Sequence, residues 1–307
     1  MSSGDPSAVL ISGLRPGHEV NGVFACSRKD RLITRIGLPY LALELRDRSG
    51  AIQARAFQDA DALAGRFERG ELVRVSGRVE RFRDQPVVEV VDIARVEPDS
   101  GGSGPGDPAR FLPTAYRDLD ELDGFLEHLA GEVHDRGYRS FLDGLLSDRD
   151  LRAAWRQAPC TRGGHHAYLG GLLEHTVAVA TLAYEICHLH PRLNQALLLT
   201  AAIAHDLGRT REFTYGAEIG VTEEGRLLGH LVIGEQIVSS RASALDDQRR
   251  LALLHCLLSH HGAAAAPGGR FGSIEALTLY RLNGLDAGVK GAFEHGLGLE
   301  PATRSAP

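Results

Sequence analysis

The chain has 307 residues, 43% hydrophobic and 24% charged, which suits a folded soluble protein of two ordinary domains. No apolar run approaches the ~18 residues that a membrane span needs, and "MSSGDPSAVL" has no basic stretch leading into an apolar core, so neither a membrane helix nor a signal peptide is expected. The net charge of -6 alone disfavours a phosphate-rich partner, but residues 1–97 carry 15 Lys and Arg against 14 Asp and Glu, so the acidic excess lies in the rest.

The first segment reads with a period of two. "EVNGVFACSRKDRLIT" predicts a long strand or hairpin, followed by strands in "YLALELRD" (40–47), "AIQARAF" (51–57), "LVRVSGRVE" (72–80) and "VVEVVDIARVE" (87–97). "RSG" (48–50) and "RDQP" (83–86) read as turns, and "DADALAGRFERG" (59–70) as one short helix between the third and fourth strands. Five strands with a helix at that place predict an all-β OB-fold barrel over residues 1–97.

"PDSGGSGPGDPAR" is dominated by Gly, Ser and Pro and predicts a flexible linker over residues 98–110. From 111 to 295 the period becomes helical. Helices are predicted in "LDELDGFLEHLAGEVHD", "YRSFLDGLLSD", "LRAAWRQA", "LGGLLEHTVAVATLAYEICHLH", "NQALLLTAAIAHDLG", "HLVIGEQIVSSRAS", "DDQRRLALLHCLLSHHG" and "SIEALTLYRLNGLDAGV". The fold class is therefore multidomain, a β-barrel followed by an all-α bundle, with residues 296–307 as a tail. Cys26, Cys160, Cys187 and Cys256 are too scattered for a zinc ribbon or a disulfide framework, which points to reduced thiols in a cytoplasmic protein.

Thirteen of the fourteen histidines follow the linker. His128, His134, His188, His190 and His295 read as surface, helix-end or tail residues. His175, His205 with Asp206, His230, and His260 with His261 instead lie within or beside strongly apolar helical stretches. Several buried imidazoles on separate helices need a common partner, because unpaired buried polar groups are costly. One or two divalent metal ions supply it, and His with a carboxylate suits Mn, Fe, Co, Ni or Zn better than Ca or Mg. Adjacent His205 and Asp206 would let two ions share one carboxylate, the arrangement used against phosphate esters.

This ordered set resembles the HD superfamily of metal-dependent phosphohydrolases. "HHAYLGGLLEHT" (165–176), "HDLGRTREF" (205–213), "EEGRLLGH" (223–230), "LSHHG" (258–262) and "EALTLYRLNGLDA" (275–287), behind an OB-like domain, resemble the YhaM-type 3'-5' exoribonuclease family over nearly the whole chain. The resemblance implies a first metal site at His175, His205 and Asp206, with His230, His260 and His261 completing a second or holding phosphate. His165 and His166 match a His-His pair of the family and are candidates for phosphate contact or for a structural role.

Two positions depart from the family. Asn283 stands where the family has an Asp ligand, which removes a charge, and Asp286 three residues on is a candidate substitute. Arg209 replaces the Lys of "HDLGK" and keeps a cation for phosphate.

The expected activity is metal-assisted hydrolysis of single-stranded RNA, with DNA also open, in which Asp206 orients or deprotonates water and Arg209 offsets phosphate charge. Arg35, Tyr40, Arg55, Phe57, Arg81, Phe82 and Arg83 are the candidates for binding the strand, with Phe57 equally readable as core. Two rival readings stand beside this: a nucleotide or cyclic-nucleotide phosphohydrolase, and a nucleic-acid-binding protein whose metal site Asn283 impairs. Whether the chain acts as a homo-oligomer is open at the level of sequence.

Overall fold

The computed structural model describes residues 10–98, 104–265 and 267–296. The chain divides into two compact units, Met1–Pro113 with Thr214–Gly220, and Thr114–Phe213 with Val221–Pro307.

In the first unit five strands, β1 (Glu19–Ile33), β2 (Pro39–Asp47), β3 (Gly50–Ala56), β4 (Leu72–Phe82) and β5 (Gln85–Val96), close a barrel in the order β1-β2-β3-β5-β4. All pairs are antiparallel except β3 with β5. The short helix α1 (Ala60–Ala64) lies between β3 and β4. The alternation is physical: Val73, Val75 and Val79 of β4 are buried while Arg74, Arg78 and Glu80 face out. A one-residue register shift between Ser76 and Gly77 leaves Val91 of β5 as an unpaired bulge opposite β4, and a Cβ at Gly77 would overlap the Glu89 carbonyl oxygen. Arg83 and Asp84, both at positive φ (48° and 63°), make the two-residue turn that joins β4 to β5.

Two sequence expectations change here. Phe57 is not core: Ile52, Ala54 and Ala56 take the inner face of β3, so the period of two turns Phe57 outward at 46% exposure. The expected linker carries ordered structure in its second half. Residues 99–103 lie outside the described ones, but Asp107 caps a 3-10 turn (Pro108–Arg110), Pro108 is buried, and the Arg110 carbonyl accepts the Arg48 amide.

The second unit is built from α2 (Leu119–Gly131), α3 (Arg136–Ser147), α4 (Arg149–Gln157), α5 (Gly171–Leu189), α6 (Gln195–Ala204), α7 (Arg209–Glu212), α8 (Glu223–Arg241), α9 (Asp247–Ser259) and α10 (Ile274–His295). Asp118, Asp135, Asp148, Asn194, Thr222, Asp246 and Ser273 each accept a first-turn amide, satisfying donors a helix cannot satisfy itself. Every residue of α6 from Leu197 to Ala204 is buried, which makes it the central helix of the core.

Three local features depart from the sequence reading. A small hairpin, β6 (Phe213–Tyr215) and β7 (Ile219–Val221), interrupts the helices. α8 starts at Glu223 rather than His230, because Thr222 caps it and the chain continues through a break at Gly229 (φ 70°). α10 runs on to His295, whose ring donates to the Gly164 carbonyl at 2.9 Å, so His295 belongs to a helix end and not to a tail. The tail beyond residue 296 lies outside the described residues.

Candidate metal centre

α6 delivers His205 and Asp206 at its C-terminal end, where the chain turns through Gly208 into α7. A Cβ at Gly208 would overlap the His230 carbonyl oxygen, so this glycine lets the turn lie directly on the backbone of α8. α5 contributes His175, α8 contributes His230, and the end of α9 contributes His260 and His261.

Three of these imidazoles are fixed from behind. His205 Nδ1 donates to the Ala202 carbonyl at 2.8 Å, His260 Nδ1 to the Leu257 carbonyl at 2.6 Å, and His175 Nδ1 to Asp286 Oδ2 at 2.6 Å. With the hydrogen on Nδ1, each Nε2 presents a bare lone pair, the tautomer a metal requires. The Nε2 atoms converge on Asp206. Its Oδ2 lies 3.9 Å from His175 Nε2 and 3.7 Å from His205 Nε2, and its Oδ1 lies 3.5 Å from His230 Nε2 and 3.3 Å from His260 Nε2.

The donor set fits a metal ion. His175 Nε2 and His205 Nε2 stand 3.2 Å apart as two acceptors with no hydrogen between them. Asp206 Oδ1 and His260 Nε2 are buried without a hydrogen-bond partner. Ligand atoms of Asp206, His230, His260 and His261 lie within 4.8 Å of one another, as do those of His175, His205 and Asp206. One carboxylate therefore faces two clusters with its two oxygens.

Burial alone would raise the pKa of Asp206, but Arg209 and the surrounding imidazoles overcome it and hold the carboxyl well below its ordinary range. Arg209 donates from Nε to Asp206 Oδ2 at 2.8 Å and from Nη1 to Glu212 Oε2 at 3.1 Å. Burial pushes His205 well below the ordinary imidazole range, and burial with its His neighbours lowers His165 to about 4. These rings are neutral near pH 7 and ready to act as ligands or hydrogen-bond partners.

His165, Asp206, Arg209, His260, His261 and Asn283 line one cavity. Asn283 is buried and donates to the His260 carbonyl at 3.4 Å. Asp286 does not take its place beside Asp206: its Oδ2 is bonded to His175 Nδ1 at 2.6 Å and to His166 Nε2 at 3.0 Å. His166 is buried, with its other nitrogen on Tyr168 Oη at 2.8 Å, so its ring is fully engaged and orients Asp286 rather than facing the cavity.

Sequence reasoning missed the groups behind the ligands. Glu212 sits 3.4 Å from His230 Nδ1 and also holds Arg209. Tyr168 donates to Glu174, which also accepts from Lys290. "REF" beside "HDLGR" is the one local signal that could have flagged Glu212.

On the barrel, Tyr40 stacks on Phe57 with centroids 5.4 Å apart. The Arg55 guanidinium lies 3.9 Å over Phe82, which is 41% exposed, and Arg83 lies 5.4 Å from the same ring. Arg81 pairs with Asp84 at 3.9 Å. Arg35 is exposed in the β1–β2 turn beside exposed Ile33, Ile36 and Leu38, an apolar group the sequence reading did not pick out. The seven barrel candidates thus fall into two aromatic pairings, with Arg35 and Arg81 apart from them.

Among the described residues no helix is long and apolar enough to cross a membrane. Residues 172–288 match the HD domain family, which implies binding of a divalent metal, and residues 26–94 match the OB-fold nucleic acid binding domain family. The chain is 29% identical over 286 residues to the 3'-5' exoribonuclease YhaM of Shouchella clausii, covering 90% of this chain and 85% of that protein. The Bacillus subtilis protein of the same name is 28% identical, covering 88% and 85%, and that of Listeria innocua is 28% identical, covering 82% and 80%.

Proposed function

We propose that this chain, similar to the YhaM-type 3'-5' exoribonucleases over most of its length, hydrolyses single-stranded RNA from the 3' end at the Asp206 cluster. The observation that carries this reading is the two-sided carboxylate of Asp206, with Oδ2 toward His175 and His205 and Oδ1 toward His230 and His260. His175, His205 and Asp206 would hold one divalent ion, and Asp206, His230, His260 and His261 a second. Manganese is our choice, since imidazole with carboxylate accepts it and no sulfur lies in either set. Such ions lower the pKa of a bound water and clamp phosphate oxygens.

The protein's own groups supply the rest. Asp206, kept ionised by Arg209, is a weak base, so its part is to hold and orient rather than to deprotonate. Arg209 borders the cavity and places positive charge where phosphate charge grows. His165, neutral near pH 7, offers a hydrogen bond from the cavity wall. On the barrel, Tyr40 with Phe57 and Phe82 with Arg55 and Arg83 give two surfaces on which bases of a single strand can stack. Four free, buried cysteines suit a reducing, cytoplasmic setting.

The test uses chelator-stripped protein reloaded with manganese and offered 5'-labelled single-stranded RNA and DNA of one sequence. A ladder shortening from the 3' end, absent in His205→Ala/Asp206→Ala, is the expected result. Hydrolysis of mononucleotides or cyclic nucleotides with no oligomer shortening would overturn it. A second reading, a binding protein with an impaired centre, draws on Asn283, which puts a neutral amide on the cavity wall. It predicts no shortening with any divalent ion, a retained gel shift, and activity that appears in Asn283→Asp.

A further inference from the structure

Cys160 stands outside both clusters and directly against them. Its Sγ is 3.5 Å from His165 Nε2 and 3.7 Å from Asp206 Oδ2, and ligand atoms of Cys160, His165 and His175 lie within 4.8 Å of one another. The loop that carries two of the three is pinned. The Cys160 amide donates to the His166 carbonyl at 3.0 Å, and Thr161 Oγ1 donates to the His165 carbonyl at 2.8 Å while accepting the Gly164 amide at 2.9 Å. A buried cysteine that serves only to pack touches carbon. This one meets an imidazole nitrogen and a carboxylate oxygen.

We propose that Cys160, His165 and His175 form a thiophilic metal position that borders the His175–His205–Asp206 cluster and shares His175 with it. The inference rests on reading that cluster as a metal centre. A sulfur with two imidazoles selects zinc-like ions, whereas imidazole with carboxylate accepts manganese. His175 has one ring nitrogen free, since Nδ1 is tied to Asp286, so one ion at a time can use it. A soft ion bound through Cys160 therefore takes His175 away from the hydrolytic cluster, with the thiol proton released to solvent. The chain thus carries two adjoining positions of opposite softness, and zinc acts against manganese.

The test is cobalt(II) titration of the metal-stripped full chain, followed by absorption and by metal content. The expected result is a near-ultraviolet thiolate-to-cobalt charge-transfer band alongside visible ligand-field bands. The band is lost in Cys160→Ser and weakened in His165→Ala, and the ligand-field bands persist in both. Zinc inhibition of the manganese-loaded protein should require at least about tenfold more zinc in Cys160→Ser. Ligand-field bands without the charge-transfer band in the unsubstituted chain overturn the cysteine position and leave the metal centre standing. No cobalt uptake at all overturns both. Should Cys160→Ser lose its cooperative melt, His165→Ala carries the test, and an undiminished band there refutes the position.

Discussion

The barrel and the helical unit place their functional side chains in opposite surroundings. Phe57 and Phe82 lie on the surface, 46% and 41% exposed, Phe57 stacked on Tyr40 and Phe82 beneath the Arg55 guanidinium. His175, His205, Asp206 and His260 are buried, and their polar atoms point inward at one another. A surface aromatic costs little to display and can be lost without consequence for folding. A buried imidazole or carboxylate is costly for each polar atom left without a partner, so its surroundings must be built around it. The proposed strand-binding surface should therefore be separable from stability, and the proposed metal centre should not.

The largest effect should come from Asp206→Ala. It removes the oxygens that face both clusters and leaves buried Arg209 with Glu212 alone. Turnover on RNA should fall by at least about 10^3-fold, and unfolding free energy from denaturant melts by about 3 kcal/mol. Full stability in this variant would break the contrast between the two regions.

Next is Asp286→Ala, which touches no cavity atom we assign to substrate but frees His175 Nδ1 and His166 Nε2. Metal affinity measured by chelator competition should drop about 10–100-fold. Unchanged affinity would show that Asp286 orients nothing.

On the barrel, Phe82→Ala should weaken single-stranded RNA binding by about tenfold while leaving the melting temperature in place. Neutralising Arg55 should lower the salt dependence of binding by about one counterion. A loss of stability in Phe82→Ala would show that the ring packs rather than stacks on bases.

The smallest effect concerns pH. Asp135 is held below the ordinary carboxyl range, chiefly by its hydrogen bond with Arg249, and Asp148 likewise by Arg241. Their folded pKa values are depressed, so their contribution is present above the unfolded carboxyl range and is lost as pH falls through the folded values. Melting temperature should decline below about pH 4, and less steeply in Asp135→Asn.

How far the sequence could be read follows the same division. The strands were visible because each has one wet face, as in Val73, Val75 and Val79 against Arg74 and Arg78. The buried histidines were visible because they interrupt apolar stretches such as "LLLTAAIA" before His205. Phe57 was ambiguous because the alternation alone does not say which face is inside. The hairpin Phe213–Val221 was missed because strands of three residues carry too short a pattern. Glu174 and Glu212 were missed because their partners come together only in the fold, Lys290 lying 116 residues from Glu174 and His230 lying 18 residues from Glu212, and Tyr168 was missed with the Glu174 it donates to. The linker was overextended because Pro and Gly mark a turn as readily as a free segment, and Asp107 shows which it is here.

Arg209 has one more consequence. It gives Asp206 a resident positive partner, so the carboxylate is balanced before any ion arrives. Asp206 Oδ1 and His260 Nε2 still lack a partner until an ion binds, so the expected behaviour of the metal-stripped protein is a cooperative melt that shifts upward on loading. A metal-stripped chain with no cooperative melt would show that Arg209 alone does not offset the buried charge.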